Sequence, residues 1–160
     1  MPSTLKEMLD MQNRTCLITG AGGYVGEALT FAFSEMGCNL ILVDHPEKNL
    51  NKLKSKINDK FKNKVVIVSC DFESSKNIEK IRPLIEENFD SLDILINNAA
   101  FVGSSNLKGW STSLENQSLD TWRRAIEVNL TASFQIIKST KELLEKSTHA
   151  SIINIGSIYG

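Results

Sequence analysis

Thr19-Gly20-Ala21-Gly22-Gly23-Tyr24-Val25-Gly26 joins an apolar run, Thr15-Cys16-Leu17-Ile18, to a segment of helical periodicity. Glycines at such a junction let the chain turn tightly and bring bare backbone N–H groups up to an anion, while the following helix aims its positive end at the same place. The stretch reads as a cradle for the pyrophosphate of a dinucleotide. Gly-x-x-Gly-x-x-Gly alone is a weak signal. Asp44 strengthens it by closing the next apolar run, Leu40-Ile41-Leu42-Val43, at the spacing where a ribose 2′-hydroxyl needs an acceptor. The bland reading of Asp44 is a helix-capping acid ahead of Pro46. As a ribose ligand it would meet the 2′-phosphate of NADP as a like charge, and no Arg follows, so NAD is the expected cofactor.

Three further apolar runs, Val65-Val66-Ile67-Val68, Ile94-Leu95-Ile96 and Ile152-Ile153-Asn154-Ile155, also lack in/out alternation, as strands buried on both faces do. Helix-period segments separate them. Val25, Ala28, Leu29, Ala32, Phe33 and Met36 mark a first apolar face ending at Gly37; Leu50, Leu53, Ile57 and Phe61 mark a second. Ile78, Ile81, Ile85 and Phe89 mark a third, which Pro83 should bend or split. The longest helix is expected from Ser118, an N-cap with Asp120 in the first turn, to about Lys146, with Leu119, Trp122, Ile126, Ile137 and Leu144 as its apolar stripe. Strands alternating with helices predict an α/β fold: a Rossmann-type, doubly wound parallel sheet of order 3-2-1-4-5, with a ligand crevice between the first and fourth strands. Residues 101–117 form a long connection without period, and such loops are commonly functional.

With 160 residues, 41% hydrophobic and 23% charged, residues 1–160 read as a single domain. A formal net charge of −1 gives no electrostatic reason to expect nucleic acid or an anionic membrane as partner. Lys52, Lys54, Lys56, Lys60, Lys62 and Lys64 alternate with Leu53, Ile57 and Phe61, the pattern of a helix's wet face. Cys16, Cys38 and Cys70 have no metal or redox spacing and read as free buried thiols; no metal site is expected. No signal peptide or membrane span is legible, so a cytoplasmic location is expected.

Two polar residues stand out. Asn129 lies on the stripe of the long helix, where a buried amide is either a structural hydrogen-bond hub or a group facing a site. Ser157 follows the fifth strand at the carboxyl edge of the sheet, as a turn residue or a site residue.

Taken in order, these segments resemble the short-chain dehydrogenase/reductase family across the whole chain. Thr19 to Gly26 resembles its glycine-rich cofactor turn, in a spacing more usual in extended members. Asn97-Asn98-Ala99-Ala100 resembles its Asn-Asn-Ala-Gly signature, Trp122 to Leu130 the helix with its catalytic Asn, and Asn154-Ile155-Gly156-Ser157 the segment with its active-site serine. The resemblance implies that Gly20, Gly23 and Gly26 shape the pyrophosphate site, with Tyr24 and Val25 in the same cofactor-binding turn. Asp44 would bind the adenosine ribose and Asp71 the adenine amino group; Asn98 and Ala99 would line the cofactor, and Asn97 would tie adjacent strands together. Asn129 and Ser157 would be catalytic, Ser157 steadying a carbonyl oxygen and Asn129 holding a relay water. Tyr24 and Ala100 stand where classical members carry glycine.

The family's proton-donating Tyr, followed four residues later by Lys, occurs nowhere in the 160 residues, and Tyr159 is too close to Ser157 to replace it. The chain therefore reads as the first two thirds of a reductase, without the last family strands, and as inactive by itself. The function implied is interconversion of a secondary alcohol and a carbonyl with NAD. The long loop with Trp110 and the ending Ile-Gly-Ser-Ile-Tyr-Gly suggest a sugar or nucleotide-sugar substrate. A non-catalytic NAD-binding module is the alternative; methyl transfer from S-adenosylmethionine leaves Asn97 to Ala100 and Ser157 unexplained. A homo-oligomer is expected, from the edge left by Ile152, Ile153 and Ile155 and from the family's use of its long helix as an interface.

Overall fold

A computed structural model describes residues 4–102, 105 and 107–157. Behind a single helical turn, α1 (Leu5–Met8), the chain alternates strand and helix: β1 (Thr15–Thr19), α2 (Tyr24–Glu35), β2 (Asn39–Asp44), α3 (Leu50–Asn58) and β3 (Val65–Ser69). The second half runs through α4 (Ser75–Ile78), α5 (Ile81–Glu86), β4 (Ile94–Asn97), α6 (Leu119–Ile126), a π-helical turn (Glu127–Thr131), α7 (Ala132–Glu145) and β5 (Ser151–Asn154). All strand pairs are parallel and the order is β3-β2-β1-β4-β5, the doubly wound arrangement expected.

The runs without alternation have the burial that explains them. Cys16, Ile18, Leu40, Leu42 and Ile96 pack into the layer beneath α2 and α3, while their neighbours Leu17, Ile41, Val43 and Leu95 pack into the opposite layer with Ile81, Ile85, Ile136 and Leu143. Each central strand thus contributes to two cores, and a polar residue on either face would lose solvation. Cys16, Cys38 and Cys70 are free and buried; burial raises the thiol of Cys38 to about 11 and that of Cys70 to about 12, so neither is a thiolate at neutral pH. Leu50, Leu53 and Ile57 are buried while Lys52, Lys56, Lys60, Lys62 and Lys64 stay exposed, as the lysine pattern required.

Pro83 does split its helix. The break falls at Glu79 and Lys80, so that Pro83 enters the first turn of α5, where its missing N–H costs nothing.

Two helix faces depart from the sequence expectation. The fully buried side of α2 is Gly26, Thr30 and Ser34; of the expected stripe Leu29 and Phe33 are half-buried against the same core, while Val25, Ala28 and Ala32 face outward. The physical reason is the glycine turn. It brings the first turn of α2 so close to β1 that only small side chains fit, and the hydroxyls are satisfied within the helix: Thr30 donates to Gly26 O at 2.7 Å and Ser34 to Thr30 O at 2.8 Å.

On the long helix, Ser118 caps the start by accepting from Thr121 N–H, as expected. The buried residues are Thr121, Ala125, Val128, Ala132, Ile136, Thr140, Leu143 and Leu144; of the expected stripe Leu144 is buried and Ile137 packs against the core, whereas Leu119, Trp122 and Ile126 are exposed. The Thr121 hydroxyl is turned in to the loop at Lys108, and the outward turn of bulky apolar residues is a feature of the helix's first half, since Ile136, Leu143 and Leu144 are buried further on. β5 is exposed along its length.

Candidate active site

Five loops meet the carboxyl edge of the sheet, and the turn after β1 is the tightest. Gly20 has φ +64°, and a Cβ on it would lie 2.8 Å from Ala99 Cα. A Cβ on Gly26 would lie 2.1 Å from Gly20 O, so the turn and the helix are in backbone contact there. No side chain caps the N-terminus of α2. Tyr24 is 96% exposed and Val25 half exposed, so what they present to an anion in this turn is their backbone N–H.

The Thr19 hydroxyl secures the turn to the loop after β4. It donates to Ile96 O and accepts from Asn98 N–H at 2.9 Å and Ala99 N–H at 3.0 Å, using its full capacity. Asn98 Nδ2 donates to the carbonyls of Thr19 and Gly20 at 2.9 and 3.2 Å. Asn98 and Ala99 therefore border the crevice between β1 and β4, where the sheet order reverses. Asn97 pairs in register with Asn154 and donates to its Oδ1 at 2.8 Å, tying β4 to β5.

Asp44 is 7% exposed at the end of β2. Its Oδ2 accepts from Gly22 N–H and its Oδ1 from His45 N–H, both at 2.7 Å. It caps no helix, since α3 begins after Asn49. Instead it locks the glycine turn to β2, and each carboxylate oxygen keeps a lone pair for a further donor. Asp71 follows β3 and folds into a tight turn in which its Oδ1 accepts from Glu73 N–H at 3.0 Å.

Asn129 sits in the π-helical turn, a widened turn frequent at functional sites. Both ends of its amide grip one residue: Oδ1 accepts from Phe101 N–H at 2.7 Å and Nδ2 donates to Phe101 O at 3.1 Å. It is therefore a structural hub for the loop after β4, and each end of the amide retains one more hydrogen-bonding position. Ser157 lies three residues past β5, whose direction is continued by Ile155 N–H donating to Asn97 O at 2.9 Å. Tyr159 lies outside the described residues.

The long connection is partly organised by α6. Lys108 O accepts from the Thr121 hydroxyl at 2.6 Å and Gly109 O from Ser118 N–H at 2.9 Å. Sequence reading missed the ion pair of Arg124 with Glu73, at 2.6 Å. Two distant positions carry no local signal that they meet. Two open depressions lie elsewhere, one at the outer edge of β3 beside Lys54, Asn63 and Lys64, the other between α7 and β5 beside Ile137, Leu144 and Ile152; neither includes the glycine turn. Among the described residues no three His, Cys, Asp or Glu side chains gather as metal ligands, and no helix is long and apolar enough to cross a membrane.

The family sequence model described as short chain dehydrogenase matches residues 14–160. The chain belongs to the short-chain dehydrogenase/reductase family. A short chain dehydrogenase/reductase of Colletotrichum higginsianum is 31% identical over 98% of this chain and 57% of its own length. Among solved structures, a short-chain dehydrogenase/reductase (glucose/ribitol dehydrogenase) from Brucella melitensis is 26% identical, with a TM-score of 0.81 over 93% of this chain and 58% of that one. The NADPH-dependent 3-quinuclidinone reductase of Rhodotorula rubra, at 22% identity and TM-score 0.81 over 95% of this chain and 55% of that one, shares the fold. The chain spans 54 to 62% of the length of curated relatives it matches.

Proposed function

We propose that this oxidoreductase chain is the cofactor-holding part of an NAD-dependent enzyme that interconverts a secondary alcohol and a carbonyl. The observation carrying this reading is the cradle itself: an uncapped helix N-terminus, a turn in which Gly20 and Gly26 leave no room for a Cβ, and Asp44 bonded to that turn. NAD fits this donor and acceptor set, with the pyrophosphate on the N–H groups of Tyr24 to Gly26 and the ribose hydroxyls on Asp44, while the Gly23 N–H closes the turn onto Gly20 O. When bound, NAD supplies the group that accepts or donates a hydride. Asp71 lies where it can accept from the adenine amino group, Ser157 stands at the edge where a carbonyl oxygen can be steadied, and Asn129 fixes the loop between them. A sugar or nucleotide sugar remains the proposed substrate class, and the cytoplasm the proposed location.

Cofactor preference follows the charge at Asp44. Calorimetric titration is expected to give NAD about tenfold or more tighter than NADP, because a like-charge contact with the 2′-phosphate exceeds ~1.4 kcal/mol. Asp44→Ala should narrow the gap. Equal affinities in the unaltered protein would remove the ribose assignment.

The outward face of the long helix supports the proposed homo-oligomer. Leu119, Trp122, Ile126, Leu130 and Phe134 recur at helical spacing and are all exposed, Phe134 by 65%. A contiguous apolar stripe of this kind marks an interaction surface. Sedimentation at micromolar concentration is expected to show a dimer, and Trp122→Asp with Phe134→Asp to weaken it by about two orders of magnitude, as loss of central aromatic anchors does. A purely monomeric unaltered chain would contradict the interface.

A further inference from the structure

Arg124 ties together two loops that border the proposed cofactor cleft from opposite sides, and none of the site assignments above uses it. Its Nε donates to Glu73 Oε1 at 2.6 Å, which fixes the tight turn that Asp71 begins after β3. Its guanidinium stands 5.6 Å from the centroid of the Phe101 ring, after β4. Phe101 is the residue whose backbone Asn129 grips at both N–H and C=O. The contacts therefore run without a gap from Asn129 through Phe101 and Arg124 to Glu73 and the Asp71 turn, spanning 58 residues of sequence between Asp71 and Asn129.

We infer that Arg124 is a positioning residue: its bridge to Glu73 and its packing on Phe101 hold the Asp71 turn at the distance from the β4 loop that the adenosine half of the dinucleotide requires. The inference rests on the proposed NAD-binding reading. A planar guanidinium suits this place because it can stack on a ring with one face and pair with a carboxylate in its plane, which an ammonium cannot do. Glu73 keeps the pair from leaving a bare cation near the site, and the Asp71 carboxylate adds further attraction for the guanidinium. The bridge is partly solvated, with side-chain exposures of 42% for Arg124 and 28% for Glu73. Its effect is accordingly on placement of the turn more than on global stability.

The test uses AMP and NAD as calorimetric probes of the folded chain, with thermal unfolding measured alongside. Arg124→Ala and Glu73→Gln are each expected to weaken AMP binding about fivefold, with the double variant no worse than either single change. Arg124→Lys is expected to recover little, since it keeps the charge and loses the plane. Nicotinamide mononucleotide, which lacks the adenosine, should lose no affinity in any variant, whereas a general loosening of the fold would weaken both probes. Glu73→Gln changes the pair without shortening a side chain, so it serves if Arg124→Ala fails to fold. If the unaltered chain binds AMP and the Arg124 and Glu73 variants bind it equally well, this inference is overturned while the NAD reading stands. If the unaltered chain binds neither AMP nor NAD, the NAD reading fails and the inference falls with it.

Discussion

Gly26→Ala is expected to destabilise the protein by about 3 kcal/mol or more and to abolish measurable NAD binding. The new Cβ would meet Gly20 O at 2.1 Å, Ala21 Cα at 2.7 Å and Gly20 C at 2.9 Å. All three are backbone atoms of the turn itself, so no rotamer change relieves the clash. Either α2 moves away from β1, opening the layer that buries Ile18 and Ala21, or the turn changes course and its N–H groups no longer converge. Both routes weaken an anion site as well as the fold. Thermal unfolding should fall by roughly 6–12 °C for a chain of this size. Gly156→Ala is the control: no atom lies within 4 Å of its Cβ position, and a change within about 0.5 kcal/mol is expected. A Gly26→Ala protein that melts and binds NAD like the original would show that the turn does not take the form described.

Turnover is the second large effect. The 160 residues contain no Tyr followed four positions later by Lys. Positioned acid–base catalysis contributes about 10²–10⁴ in rate, and hydride delivery to a carbonyl leaves an oxygen that must be protonated. We therefore expect a polypeptide of these residues, given NADH and a range of ketones and aldehydes, to show no reduction above a buffer control. Ser157 can donate a hydrogen bond to that oxygen, but an alcohol of ordinary acidity is a poor proton source at neutral pH. Sustained turnover that disappears in Ser157→Ala would refute this expectation and make Tyr159 the candidate acid. NAD binding in the absence of turnover is compatible with both the reductase reading and a non-catalytic NAD-binding role.

Much of the site is written in short-range terms. Gly20, Gly23, Gly26 and Asp44 were legible because a turn or a strand end places its own residues, whatever the rest of the chain does, whereas Asp71 was named only through resemblance. Asn97 and Asn98 were legible only through resemblance, and the structure supplies their reasons: one crosses to Asn154, the other to the carbonyls of the glycine turn. Asn129 was readable as hub or site, and its two hydrogen bonds to Phe101 make it a hub without using up its capacity.

By itself, then, the sequence determined the alternation of strand and helix, the parallel sheet order and the glycine turn after β1. Each of these follows from hydrophobic period, punctuation by glycine and proline, and the handedness of crossovers, all local or nearly so. The buried faces of α3 and of the Pro83 helix pair, Leu50, Leu53, Ile57, Ile78, Ile81 and Ile85, are those the periodicity marks, whereas tertiary structure alone decided the buried faces of α2 and of the first half of the long helix. Periodicity marks a bulky apolar stripe, but close approach to the sheet selects the small one in α2, Gly26, Thr30 and Ser34, and the start of the long helix buries Thr121 and Ala125 in place of Leu119 and Trp122, while its later turns bury Val128, Ile136, Leu143 and Leu144. Tertiary structure also decided that Arg124 meets Glu73, because two residues 51 positions apart are brought together by the packing of layers and by nothing in their own neighbourhoods.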